Sequence, residues 1–149
     1  MRAIVQRVSQ GSLVVEGQVV GSVGQGLLVY VGVAQDDTEE DVKYIREKVL
    51  GLRIFRDAEE KMNLSVGDVG GGLLVISAFA LQADARKGRR PSFDAAAGLE
   101  LARQLYDLLC DQLAATGISV GRGIFRAHMD VSCVNDGPIC ILLDSKRLF

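Results

Sequence analysis

Short apolar runs separated by glycine-containing turns make up the first third of the chain. Residues 3–8, 12–16 and 19–23 have the apolar and β-branched content of strands. The nearly continuous apolar run 27–33 is typical of a strand that is buried on both faces. Because the intervening turns are short and contain glycine, these strands are predicted to pair antiparallel.

Two later stretches have the spacing of amphipathic helices. Thr38 is a suitable N-cap with Asp41 three residues later, and apolar residues then recur every three or four positions up to Gly51. A second helix is predicted over residues 94–115, where Thr116-Gly117 ends it. The apolar side of this helix carries Leu101, Leu105, Leu108, Leu109 and Leu113.

Further strands are predicted between and after the helices. The strongest is residues 73–80, and the others are residues 52–55, 118–120, 124–134 and 139–143. Strands and helices follow one another in blocks and do not alternate as they would in βαβ units. Residues 1–149 are therefore predicted to form one α+β domain, with a largely antiparallel, barrel-like sheet and two main helices packed outside it.

Composition narrows the class of protein. The chain has 149 residues, of which 48% are hydrophobic and 24% charged, as expected for one globular domain. We expect a cytoplasmic protein, because no run is apolar enough to cross a membrane and the first residues lack a signal peptide's features. The net charge of −2 argues against a general nucleic-acid coat protein. The three cysteines are too few and wrongly spaced for a zinc site, and their odd number argues against a disulfide framework.

Four cations lie close together in the segment 84–91, here called the basic loop. They are Arg86, Lys87, Arg89 and Arg90. Such a cluster can bind phosphates, and a solvated surface loop is the alternative interpretation. The loop follows the predicted strand that carries Ser77, which places it near a candidate site.

No conventional set of catalytic side chains is present in the sequence. Neither Ser77 nor Ser92 lies in the Gly-x-Ser-x-Gly pattern of a serine hydrolase. The single histidine, His128, falls on the polar face of its predicted strand, where it is expected to be solvated.

Cys140 beside His128 is one candidate nucleophile, although an isolated strand cysteine is more often a small buried hydrophobe. No group of residues has the spacing of metal ligands or of a cofactor-binding loop, so no metal and no cofactor is expected. Backbone groups or the substrate itself would then supply the chemistry of an enzyme.

The segment Asn135-Asp136-Gly137-Pro138 lies between two apolar runs near the end of the chain. Its residue types are those of an ordinary hairpin turn. Alternatively, Gly137-Pro138 is a candidate cis peptide bond that presents backbone groups rigidly, as a protein that judges a small substrate by shape would need.

Several stretches taken together resemble one family along nearly the full length of the chain. They are residues 6–8, 26–29, 53–55, 61–64, 83–84, 86–93 and 134–138. By their order and spacing the chain resembles the D-aminoacyl-tRNA deacylases, formerly called D-tyrosyl-tRNA deacylases. The resemblance implies a proofreading homodimer that cleaves the ester of D-aminoacyl-tRNA, and of glycyl-tRNA mischarged on tRNA-Ala, at the 3′ acceptor end.

The resemblance also implies how the site is built. Gly137-Pro138 would be a cis pair that reaches into the partner subunit's pocket and excludes the side chain of an L-amino acid, with Arg7 bracing it. The catalytic residues would be Ser77, Phe79 and Ala80. Main-chain N–H groups of Phe79 and Ala80 would form an oxyanion hole, and the tRNA 2′-hydroxyl would assist the attack. The substrate pocket would include Met62, Ala78, Asn135 and Cys140. The cations of the basic loop would bind the tRNA.

The chain departs from the family pattern inside these motifs. The family's Ser-Gln-Phe-Thr-Leu is here Ser77-Ala78-Phe79-Ala80-Leu81, and Cys140 stands where threonine is usual. Arg122, Arg126 and His128 replace the more common threonine, glycine and aspartate. A threonine nucleophile at position 80 is therefore impossible. Two functional interpretations follow: an active deacylase that uses main-chain donors, or an impaired homologue that binds tRNA 3′ ends without turnover.

Overall fold

One long strand, β1, organises the sheet in the computed structural model, which describes residues 1–149. The elements in chain order are β1 (Arg2–Val15), β2 (Gln18–Val23), β3 (Gly26–Gly32), α1 (Glu39–Gly51), β4 (Phe55–Arg56), β5 (Met62–Leu64), β6 (Gly72–Ser77), a 3-10 helix (Phe79–Gln82), α2 (Leu99–Ala114), β7 (Val120–Arg122) and β8 (Asp130–Asp144). β8 pairs antiparallel along β1, and β3 and β2 pair antiparallel with successive parts of β1. β4 and β5 form a separate small ribbon.

The side of the sheet formed by β3, β6 and β7 is parallel. β6 pairs parallel with β3 and with β7, so the sheet order is β2-β1-β3-β6-β7, with β8 also on β1. Gly21 of β2 and Gly121 of β7 come so close to the facing strand that an added Cβ would lie within 3.2 Å of Arg122 O and within 3.1 Å of Ser22 O. The sheet is thus a nearly closed barrel. The predicted α+β class, with a barrel-like sheet and two helices, is confirmed.

Two apolar layers account for the strands that are buried on both faces. On one face α1 and α2 cover the sheet, and Ile45, Leu109 and Leu113 are fully buried there against Val29 and Val75. On the other face the curled sheet encloses a smaller cluster, made by Val8, Leu13, Leu28, Leu74 and Ile76. Alternate residues of β3 and β6 therefore enter different layers, which explains their nearly continuous apolar sequences.

β3 and β6 meet so closely at their first residues that only glycine fits. A Cβ added to Gly26 would lie 2.0 Å from the backbone oxygen of Gly72, its register partner. This close approach anchors the start of β6, whose other end carries Ser77. No helix of the structure combines the length and apolar character that crossing a membrane requires.

Several predicted boundaries are wrong, and tertiary contacts explain the largest differences. β1 is one strand and not two, because β8 pairs with it on both sides of residue 9. β6 ends at Ser77, and α2 begins at Leu99 and not at residue 94. Residues 124–129 are not a strand, and β8 runs without interruption from Asp130 to Asp144.

Asp41, in the first turn of α1, is expected to make the fold sensitive to acid. Burial alone would raise its pKa, but hydrogen bonds from the Ser145 hydroxyl (2.6 Å) and the Thr38 amide (2.7 Å) outweigh that effect. Together with Lys146 and the Met1 amine they lower the pKa from 3.8 to about 2. The unfolded chain thus takes up the proton at a higher pH than the folded one. The stabilisation is present above about pH 4 and is lost as the pH falls towards about 2.

Urea unfolding as a function of pH tests this expectation. Between about pH 5 and pH 2 the free energy of unfolding of the wild type should fall by roughly 2 kcal/mol more than that of Asp41→Asn. Equal losses in the two proteins would show that another group is responsible.

Candidate active site

A mainly apolar cavity lies where β6 ends, and its volume is about 500 Å³. Ser77 is the last residue of β6 and pairs with Val31 of β3. The next amide, that of Ala78, still donates to Val31 O at 2.8 Å, and the chain then turns into the 3-10 helix Phe79–Gln82. The cavity is lined by Val33, Ser77, Ala78, Phe79, Ala80, Ala96, Ala97, Leu99, Ala102, Phe125, Arg126 and Ala127.

Two main-chain donors at this cavity have no acceptor in the chain. The backbone N–H groups of Phe79 and Ala80 make no hydrogen bond, whereas those of Leu81 and Ala83 donate to Ala78 O and Ala80 O, each at 3.1 Å. The first N–H groups of a helical turn have no partner within the turn, so these two remain free. Adjacent free donors in an apolar cavity can stabilise an oxyanion.

The opposite wall of the cavity comes from the segment that precedes α2. The amide of Gln35 donates to Ala95 O at 3.0 Å, and the amide of Ala97 donates to Val33 O at 2.9 Å. This pairing, together with a turn in which the Ala96 amide donates to Phe93 O at 2.9 Å, keeps the residues before Leu99 out of α2, which is why α2 starts later than its sequence predicts. Ala96 and Ala97 thereby become wall residues. Their small apolar side chains carry no signal by which sequence reasoning could have found them.

The segment Asn135-Asp136-Gly137-Pro138 is not a hairpin turn, and that interpretation is wrong. Cys140 pairs with Gln6 and Asn135 pairs with Val8, so four residues of β8 lie opposite the single residue Arg7 of β1. The segment is thus a large bulge within one strand. The Gly137-Pro138 peptide bond is cis.

The side chains of Arg7 and Asn135 hold this bulge through hydrogen bonds. Arg7 is 3% exposed; its Nε donates to Asp136 O at 2.8 Å, and its Nη1 donates to Ile54 O at 2.6 Å. The Asn135 side chain receives the Ile139 amide at 3.1 Å and donates to Ile139 O at 2.9 Å. These hydrogen bonds reach main-chain groups of the bulge, and Arg7 Nε also lies 3.2 Å from the Asp136 carboxylate, so Arg7 and the Asn135 side chain together fix the shape of the bulge.

A second, more open cavity of about 310 Å³ lies beside the bulge. It is lined by Arg7, Arg56, Glu60, Met62, Gly137, Pro138 and Ile139. It shares no lining residue with the first cavity, so one chain does not bring Gly137-Pro138 together with Phe79 and Ala80. Cys140 lines neither cavity; it is exposed, and the Gln6 side-chain nitrogen lies 3.9 Å from its sulfur.

The basic loop lies next to the first cavity. Its base is closed by paired hydrogen bonds between Asp84 and Ser92, at 2.8 and 2.9 Å. Arg86 folds back onto Asp84, where its hydrogen bonds hold the pKa of that carboxyl well below its usual range. Phe93, just after the loop, packs edge-to-face on Phe79 with ring centroids 5.0 Å apart.

The loop's other cations are unpaired. Lys87, Arg89 and Arg90 are exposed and form no ion pair. They are therefore available to an external anion.

Side-chain nucleophiles are poorly placed. His128 is 93% exposed, with Asp130 3.5 Å away. Cys110 is buried, and burial raises the pKa of its thiol to about 11, which leaves it protonated at neutral pH. No group of three or more His, Cys, Asp and Glu side chains is arranged to hold a metal ion.

Comparison with known proteins gives one consistent family. Residues 4–144 match the family described as D-Tyr-tRNA(Tyr) deacylase. The D-aminoacyl-tRNA deacylases of Koribacter versatilis (strain Ellin345) and Alkaliphilus metalliredigens (strain QYMF) are 55% and 54% identical to this chain, over the whole of both chains.

Two solved structures share the fold. One, described as c-Myc DNA Unwinding Element Binding Protein, is 35% identical with a TM-score of 0.91 and matches 97% of this chain and 98% of its own. A probable eukaryotic D-amino acid tRNA deacylase, 20% identical, matches 95% of this chain and 97% of its own with a TM-score of 0.82. The full-length matches and the shared fold agree with the resemblance seen in the sequence motifs: the chain belongs to the D-aminoacyl-tRNA deacylase family of hydrolases.

Proposed function

We propose that this protein hydrolyses the ester that links a D-amino acid to the terminal adenosine of tRNA. The observation that carries the proposal is the pair of free N–H groups of Phe79 and Ala80 at an apolar cavity, in a member of this family. Water adds to the ester carbonyl with help from the vicinal 2′-hydroxyl, and the two N–H groups bind the oxyanion. The bond to the ribose oxygen then breaks, that oxygen takes the proton, and the free amino acid leaves.

The substitutions at positions 78 and 80 leave these donors in place. Ala78 and Ala80 lack the polar groups of the family's glutamine and threonine, but a main-chain N–H does not depend on the side chain of its residue. Ser77 pairs with β3 at the end of β6 and fixes where the turn begins. We therefore favour an active enzyme over an impaired homologue that only binds tRNA 3′ ends.

The Gly137-Pro138 bulge is the proposed chiral filter. Its main chain is held by Arg7 and Asn135, and a rigid backbone next to the substrate's α-carbon would exclude an L side chain by contact. Because the bulge and the Phe79–Ala80 donors line separate cavities of one chain, the filter is proposed to act in the pocket of a second subunit. The functional unit would then be a homodimer with two cross-subunit sites, to which Met62 contributes from the bulge side.

Glycine passes such a filter. A purely steric filter accepts any amino acid that has hydrogen where the L side chain would project. We therefore include glycyl-tRNA, mischarged on tRNA-Ala, among the substrates.

Hydrolysis of matched substrates tests the proposal. The purified protein is incubated with D-tyrosyl-tRNA, L-tyrosyl-tRNA and glycyl-tRNA-Ala, and the remaining ester is measured with time. We expect turnover of the D-tyrosyl and glycyl esters and protection of the L-tyrosyl ester. Binding without turnover of any of the three would favour the impaired homologue, and more so if Ala78→Gln with Ala80→Thr failed to restore activity.

The basic loop is expected to set tRNA affinity. Arg89→Ala with Arg90→Ala should weaken binding about tenfold and lower the slope of log affinity against log salt by about 1–2, because two phosphate contacts are lost. The control is Lys43→Ala with Lys48→Ala on α1, which removes the same charge from another exposed surface. An identical salt slope in the loop variant and the wild type would show that the loop is merely solvated.

A further inference from the structure

Arg126 is the only charged residue among those that line the Phe79–Ala80 cavity. Apart from Ser77 and Arg126, every lining residue is apolar. Arg126 is itself exposed, so it lies at the rim, and its guanidinium makes no hydrogen bond or ion pair within the chain. A free cation is thus positioned at the mouth of a cavity that otherwise offers a substrate only the Ser77 hydroxyl and main-chain donors.

The backbone conformation at Arg126 is unusual for a residue with a side chain. Arg126 has φ of 68°, in the left-handed region that favours glycine, within a turn closed by the Ala127 amide donating to Ile124 O at 3.1 Å. Any side chain at this position carries a conformational cost that glycine avoids. The chain nevertheless holds an arginine here, and nothing within the fold compensates for it.

A neighbouring arginine increases the positive potential of the same rim. The Arg103 guanidinium lies over the ring of Phe125, 5.2 Å from its centroid, and Phe125 lines the cavity beside Arg126. No acidic residue lines the cavity. The rim therefore attracts an anionic group and repels an ammonium, and the apolar wall strengthens that preference.

We propose that Arg126 is a positioning residue that binds a phosphodiester of the tRNA 3′ end and so holds the aminoacyl ester against the Phe79 and Ala80 amides. The inference rests on the proposed function. The substrate has one anionic end, its backbone phosphates, and one cationic end, the α-ammonium of the amino acid. Arg126 fixes which end enters: the phosphate stays at the rim and the ester passes inward. Arginine suits this role because its planar fork contacts two phosphate oxygens at once.

Three variants separate this role from a structural one. Arg126→Gly removes the charge and the conformational cost together, and Arg126→Lys keeps the charge. Arg147→Gly is the matched control, because Arg147 is also exposed, also has positive φ (56°), and contacts Tyr44 away from the cavity. Thermal unfolding should show that neither glycine variant is less stable than the wild type.

Steady-state kinetics with D-tyrosyl-tRNA as substrate should then distinguish the three variants. Arg126→Gly is expected to raise KM about tenfold with kcat changed less than about twofold, Arg126→Lys to recover part of the loss, and Arg147→Gly to match the wild type. The same order is expected for binding of tRNA that carries D-tyrosine through a non-hydrolysable 3′-amide. There Arg126→Gly should lower the salt slope by about one.

The outcomes are decisive in both directions. An unchanged KM and salt slope in Arg126→Gly would overturn the proposal, and so would a loss confined to kcat. The amide-linked tRNA keeps this result separate from the proposed function. A wild type that binds it but turns over no ester would refute deacylation, while the salt slopes of the variants would still decide whether Arg126 binds phosphate.

Discussion

Replacing Arg7 with methionine is expected to loosen the Gly137-Pro138 bulge and to lower the selectivity for D- over L-tyrosyl-tRNA about tenfold or more. Methionine keeps the buried apolar length of arginine but cannot donate to Asp136 O and Ile54 O, which Arg7 reaches at 2.8 and 2.6 Å. Losing two buried, charge-assisted hydrogen bonds costs roughly 3–5 kcal/mol of folding stability. Urea unfolding measures that cost, and parallel hydrolysis assays measure the selectivity.

Arg53→Met is the matched control for Arg7→Met. Arg53 also donates to a main-chain oxygen, that of Asn63, at 2.8 Å, but it does so at the exposed surface. Its replacement should change stability by less than about 1 kcal/mol and leave selectivity intact. If Arg7→Met lost stability but kept full selectivity, Arg7 would support the fold without shaping the filter.

Gly32→Ala is expected to reduce kcat about 10²-fold by displacing the main-chain donors of the cavity. A Cβ on Gly32 would lie 2.8 Å from the Leu81 Cβ and 2.9 Å from Ala78 O. Those atoms belong to the turn that holds the Phe79 and Ala80 amides, so the turn must shift. Gln82 also donates to Gly32 O at 2.7 Å, and this hydrogen bond keeps the turn attached to β3. Single-turnover hydrolysis of D-tyrosyl-tRNA gives the measurement.

Gly24→Ala provides the comparison for Gly32→Ala. An added Cβ there meets nothing within 4 Å, and its backbone is not in the left-handed region. This variant should keep both stability and kcat close to wild type. A Gly32→Ala protein that remains folded and retains full kcat would contradict the proposed role of the main-chain donors.

Periodicity predicted the helices and the apolar strands because burial on one or two faces leaves a repeating signal. The strands β3 and β6, which are buried on both faces, show such a signal. Local residue types likewise predicted the start of α1, at the capping pair Thr38 and Asp41, and its end at Gly51. Parallel pairing of β3 with β6 was not predictable, because local sequence does not say which distant strand lies alongside.

The wrong boundaries arose where a distant contact outweighs local preference. Ala95 and Ala97 have helical propensity, yet their backbone groups bond to Gln35 and Val33, just after β3, and they do not join α2. The residue types from Asn135 to Pro138 are typical of a turn. However, β1 continues alongside them, so the chain forms a bulge and does not reverse direction. Neither partner strand can be identified from the residues of the segment itself.

The candidate site could be predicted only in part. A catalytic triad or a metal cluster depends on particular residue types, which the sequence can indicate, but a main-chain donor leaves no mark in residue identity. Phe79 and Ala80 were therefore predicted through resemblance and not through their chemistry, and their catalytic role stays a prediction. In the sequence, Arg126 was visible only as a departure from the family pattern. The structure adds that Arg126 lines the cavity beside Phe79 and Ala80.

The two free amides at the end of β6 have a consequence for how such enzymes diverge. A site built from side chains records its loss of activity in its sequence, because the nucleophile or base disappears. A site built from peptide groups keeps its donors through almost any substitution, and the proposed donor at Ala80 remains although the threonine of the family pattern is absent. Substitutions can then change the residues of the motif while activity persists. Active members of such a family are therefore better recognised by their backbone conformation than by the residue types of the motif.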